Sequence, residues 1–134
     1  MMYVTATVSA LLVFIFIKLS FQVIELRKMH KVAFGDGGID ALERAIRAHA
    51  NFAEYVPMGL ILMGALELNG APWMLVAFVG GFLVLGRYFH AKGINEPPPE
   101  FRNRVRGMKI TFAALGLSAV SNIAWVAYLL LSVS

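Results

Sequence analysis

ITFAALGLSAVSNIAWVAYLLLSVS (110–134) closes the chain with 25 residues and no charged side chain. As a helix it would rise roughly 37 Å at 1.5 Å per residue, enough to cross the ~30 Å hydrocarbon layer of a bilayer. It is apolar around its whole circumference, unlike the one-sided helices of a soluble bundle. Three more runs of this kind lie upstream. Ala71 to Gly86 is uncharged and continues through Arg87 to about His90. Ala48 to Leu66 carries Glu54 as its only acid or base apart from His49. Tyr3 to Ile24 is interrupted only by Lys18, and its basic flank follows the run, as in an anchor and unlike a secretory signal. Together the four runs predict an all-α fold: an integral membrane four-helix bundle with four transmembrane helices, in one domain over residues 1–134.

Composition agrees. The 134 residues are 59% hydrophobic and 15% charged, with a mean hydropathy of +0.71. Soluble domains carry about 25% charged residues, so this chain has too few to cover a wetted surface. Disorder, collagen-like structure and an ordinary soluble enzyme are excluded. The absence of cysteine excludes a disulfide framework, thiolate metal sites and a cysteine nucleophile. Three dispersed histidines, with His30 and His90 read as loop residues, argue against a metal site. The net charge of +4 is explained by placement at helix ends, with no nucleic-acid partner implied.

That placement also orients the chain. Of twelve Lys and Arg, eleven fall between Arg27 and Arg47 or between Arg87 and Lys109. Under the positive-inside rule both basic regions face the cytoplasm and both termini the other side. The expected location is a bacterial inner membrane, crossed four times. Asn69-Gly70-Ala71-Pro72 reads as a tight turn that makes helices two and three an antiparallel hairpin. Phe34-Gly35-Asp36-Gly37-Gly38 reads as a flexible loop, with Asp40 as the N-cap of a helix that begins before the bilayer. Asn95 to Glu100, with three prolines, reads as an extended path, and the loop continues through Arg102, Arg104 and Arg106. Asn122 and Ser121 are expected to hydrogen-bond between helices. A bundle this small has little interior, so a ligand larger than an ion is expected between subunits.

Chemistry concentrates in the second run. Arg44, Arg47, Asn51 and Glu54 are spaced three, four and three apart, which makes one polar stripe on a helix. Pro57 withholds a donor from the carbonyl of Ala53 beside Glu54. A carboxylate at that depth costs several kcal/mol unless paired or hydrated. Two readings stay open. The stripe is internal glue that neutralises itself, or it lines a pocket for a zwitterionic ligand, with arginines for carboxylates and Glu54 for an amine. A third class, a small four-helix exporter using Glu54 for cation and proton, conflicts with Arg47 and Asn51 on the same stripe.

RAHANFAEYVP (47–57) resembles the hallmark Arg-Ala-x-x-Asn-x-x-Glu-Tyr-x-Pro of the MAPEG family, the membrane-associated proteins in eicosanoid and glutathione metabolism. Gln22-Val23-Ile24-Glu25-Leu26-Arg27-Lys28 looks like the family's end of helix one, and Arg87-Tyr88-Phe89 like its end of helix three. Length and the short N-terminus look like the small bacterial members. The resemblance implies a homotrimer with glutathione as cofactor, held between neighbouring subunits. Arg47, Asn51, Glu54, Tyr55 and Tyr88 match positions that hold the tripeptide, Arg87 of the second matching motif is read with them as glutathione-binding, and Arg27 matches a basic residue of the site. His49 stands where glutamine is found and would line the site. Lys92 replaces a tyrosine and Lys28 an arginine.

The family's thiolate-stabilising base at the start of helix four points to Arg104, with Arg106 second. A thiol of pKa near 8.5 is mostly protonated at neutral pH, and a guanidinium in a low-dielectric site favours the thiolate. The implied activity is a glutathione-dependent transferase or peroxidase acting on a lipophilic small molecule or hydroperoxide that arrives through the bilayer. A non-catalytic lipid-binding member of the same family is the alternative.

Overall fold

The computed structural model describes residues 1–95 and 102–133. Four helices occupy nearly all of them: α1 (Tyr3–His30), α2 (Asp40–Leu68), α3 (Trp73–Lys92) and α4 (Arg102–Val133). A single 3₁₀ turn, Gly93–Asn95, follows α3, and no strand occurs among the described residues. The prolines 97–99 lie outside the described residues.

By length and composition α1, α3 and α4 are apolar enough to cross a membrane. α2 matches them in length at 29 residues, but its polar stripe lowers its hydropathy. The apolar side chains are arranged for lipid. Phe14 is 70% exposed, Ile123 73% and Leu131 77%, which in water would be an aggregation surface. The interior is a narrow seam of Leu12, Leu19, Phe52, Met63, Val76, Val79, Leu83 and Ala114.

α1 and α2 run antiparallel. His49 stacks on Phe16 at 4.8 Å between ring centroids, and at the far end both carboxylate oxygens of Glu67 accept backbone N–H groups of Val4 and Thr5 at 2.8 Å. Glu67 therefore satisfies two of the orphan donors that open α1, where no local side chain caps it. α2 ends in the expected tight turn: Gly70 takes φ +77°, and the Ala71 N–H donates to the Leu66 carbonyl at 3.1 Å, a Schellman-type closure. α4 is tied back to this turn by the indole of Trp125 donating to Asn69 O at 2.9 Å. Asn122 makes the anticipated link between helices, donating to Leu62 O at 3.0 Å.

Three local expectations are corrected. Asp40 is the first residue of α2 and the N-cap is Ile39. Asp36 orders the approach instead, its side chain accepting from the Gly38 N–H at 2.9 Å. Asp40 and Glu43 serve the first turn through the helix dipole. α4 begins at Arg102, so Arg102, Arg104 and Arg106 belong to its opening turns and not to a loop. His90 is no loop residue. It lies in α3, buried to 4% exposure.

Candidate functional site

The basic end of the bundle is shaped by one close helix crossing. A Cβ on Gly86 would stand 2.5 Å from Thr111 Oγ1 and 2.9 Å from its backbone N. One on Gly107 would stand 2.6 Å from the Gly86 carbonyl oxygen. Only glycine on both helices lets α3 and α4 touch backbone to backbone, the small-residue packing common in membranes. This contact brings the end of α3 against the start of α4 and seals two polar side chains, Arg87 and Thr111, beneath it.

Arg87 is 1% exposed. Its Nε and one terminal nitrogen donate to Thr111 Oγ1 at 3.0 and 2.6 Å. The other terminal nitrogen donates to Asn51 Oδ1 at 2.8 Å, and Met108 Sδ accepts at 3.3 Å. The guanidinium also lies 5.9 Å from the ring centroid of Tyr55. Neither α3 nor α4 contains a carboxylate, so this buried cation is held by neutral groups alone. It joins α2, α3 and α4 at one point.

Beside it opens a groove of about 560 Å³ lined by Asn51, His90, Arg104, Val105, Met108, Lys109 and Phe112. Its volume falls within the ~300–1,000 Å³ of small-molecule sites. Tyr55 borders it through an edge contact with Phe112, 5.4 Å between centroids. A different groove, about 520 Å³ between the start of α1 and the first half of α3 and lined by residues such as Val4, Leu11, Trp73 and Val84, is almost wholly apolar, with hydroxyls only from Tyr3 and Thr7.

One protomer thus brings together Asn51, Tyr55, Arg87 and Arg104. The other sequence-derived residues lie elsewhere. Arg106 sits over the ring of Phe89 at 4.6 Å, off the groove. Tyr88 is 53% exposed, its ring against Phe89. Arg47 and Glu54 are exposed on α2, and neither side chain has a hydrogen-bond or ionic partner among the described residues. They do not neutralise each other within the protomer. His49 faces α1, with Nε2 3.1 Å from Ser20 Oγ. Arg27 binds the α1–α2 loop, donating from one nitrogen to the carbonyls of Ala33 at 3.2 Å and Gly35 at 3.0 Å.

Sequence reasoning missed His90, Met108, Lys109 and Thr111. A usable signal existed for Thr111. With no acid in α3 or α4, a buried Arg87 must find a neutral acceptor, and Thr111 is the first hydroxyl in α4.

A four-helix membrane protein with a largely apolar groove, edged by cations, at its basic end is the class these features define. The MAPEG family profile matches residues 5–124, and the chain belongs to the MAPEG family. Inner membrane protein YecN of Escherichia coli strain K12 is similar, 42% identical over 118 residues that cover 88% of this chain and 86% of YecN. YecN of Escherichia coli O6:H1 matches with the same identity and coverage.

Proposed function

We propose that this protein is an inner-membrane enzyme, a glutathione-dependent transferase or peroxidase, that works as a homotrimer with its basic end in the cytoplasm. The observation that carries this reading is the lining of the 560 Å³ groove: on one face of α4 the cations Arg104 and Lys109 flank Val105, Met108 and Phe112, with Asn51 contributed by α2 and His90 by α3. The donor set suits the tripeptide. Arg104 and Lys109 line the groove and suit an anion, and Arg47 and Glu54 stand exposed on α2 without a partner among the described residues, one for a carboxylate and one for an ammonium.

Glutathione would supply the nucleophilic sulfur. Arg104, the cation of the α4 opening turns that lines the groove, would stabilise the thiolate form. The apolar side chains between the two cations would receive a lipophilic electrophile or hydroperoxide from the bilayer and keep water from the reacting sulfur. A second copy covering α2 would remove Arg47 and Glu54 from lipid, where unpaired charge costs several kcal/mol, and would add its own α1 side, with Arg27 and His49.

Equilibrium binding of glutathione to detergent-purified protein tests the reading. Wild type should bind, and Arg47→Ala and Glu54→Gln should each bind at least about tenfold more weakly, the cost of one charge-assisted contact. Equal binding by all three proteins would make the stripe packing alone. Binding without turnover of chlorodinitrobenzene or cumene hydroperoxide would move the assignment to a non-catalytic member.

A further inference from the structure

Arg87 is buried and does not line the groove. We infer that Thr111 and Arg87 are positioning residues that lock Asn51 as a hydrogen-bond donor facing the groove, so that the site accepts only a ligand presenting a carbonyl or carboxylate oxygen at that point. The inference rests on the glutathione reading for the identity of that ligand, but not for the geometry.

The argument is one of donors and acceptors. A guanidinium has five N–H donors and no acceptor. The Asn51 atom 2.8 Å from Arg87 must therefore be the carbonyl oxygen, and the amide N–H₂ is turned away from it. Asn51 lines the groove, and no described side chain or carbonyl accepts from its amide nitrogen. Free in solution, an asparagine amide offers either end to a ligand. Here one end is taken.

Arg87 is held in turn by Thr111. The Thr111 hydroxyl donates its only proton to the Gly107 carbonyl at 2.8 Å. Its oxygen lone pairs then receive two Arg87 N–H groups at 3.0 and 2.6 Å. Every proton in this chain has one direction, from Arg87 to Thr111 and from Thr111 to the α4 backbone. Thr111 is fully buried and does not line the groove, so it can act on a ligand only through Arg87 and Asn51.

The test is a double-mutant cycle with a spectroscopic arm. Thr111→Val keeps the shape and removes the hydroxyl, and Thr111→Ser restores it. Glutathione binding should weaken about tenfold in Thr111→Val, recover in Thr111→Ser, and change less than about twofold when Thr111→Val is added to Asn51→Ala. Equal losses in both backgrounds would overturn the inference, because Thr111 would then act on general packing.

The second arm needs no ligand. In protein labelled with ¹⁵N-asparagine, the Asn51 side-chain amide, assigned by its loss in Asn51→Ala, should give one sharp proton pair. That pair should broaden or split in Thr111→Val and return in Thr111→Ser. An unchanged pair in Thr111→Val overturns the positioning role even if glutathione binds. Failure of wild type to bind glutathione, with the amide signal behaving as described, sinks the ligand assignment and leaves the positioning intact.

Discussion

At the scale of the residue, Arg87 shows how burial reassigns a side chain. Its motif places it among ligand-binding residues, yet 1% exposure and neutral partners make it part of the protein's frame. A buried cation without a carboxylate is costly, and its cost is offset here by four hydrogen bonds. Asn51→Asp exploits this. The new carboxylate would pair with Arg87 and remove the amide donor from the groove. Thermal stability should be kept or raised, while glutathione binding falls at least about tenfold from lost donation and charge repulsion. Calorimetry and a thermal scan on one preparation separate the two. A variant that binds normally would show that Asn51 does not donate to the ligand.

The elements depend on the α3–α4 crossing. Gly86 and Gly107 set how close the two helices come, and that distance decides whether Arg87 reaches Thr111. Gly107→Ala would push a methyl against the Gly86 carbonyl, 2.6 Å from the ideal Cβ position. Backbone cannot yield as a flexible side chain does, so a loss of about 1–3 kcal/mol is expected, together with weaker glutathione binding. Gly116→Ala, with nothing within 4 Å of the added carbon, is the control and should leave binding unchanged and the melting temperature unchanged or raised, alanine being the better helix former. Equal melting temperatures for the two variants would refute the role of the crossing. The helices themselves were readable from their apolar runs, and the 69–72 turn from its Asn-Gly and Pro. The start of α4 was not. Arg102, Arg104 and Arg106 look like loop in a hydropathy reading, but a helix need not end where the membrane does, and charged residues suit helix in water.

Across the whole molecule, the flank of α2 is the surface that neither water nor lipid alone suits. Exposed Phe14, Ile123 and Leu131 suit lipid or a second copy of the chain, but exposed Arg47 and Glu54 do not suit lipid. Their exposure in one protomer is the physical reason to expect several. Light scattering of the detergent-solubilised protein should give a polypeptide mass three times the 14.7 kDa of the chain, and Arg47→Leu with Glu54→Leu should alter the mass or abolish ligand binding. A monomeric wild type that still binds glutathione would refute assembly around this flank.

Composition and periodicity by themselves determined the class: four apolar runs close to or beyond bilayer thickness in a chain this short, with too few charges for a wetted surface, define a membrane bundle. The spacing of Arg47, Asn51 and Glu54 also determined that one face of α2 is polar. Which of those side chains meet, and which do not, was decided by the tertiary structure alone. Hydropathy sums over a window and carries no azimuth, whereas the Gly86–Gly107 contact sets the rotation and distance of α3 against α4. That contact buries Arg87 and His90, pairs Arg87 with a threonine, and leaves Arg104 on the groove with Arg106 away from it.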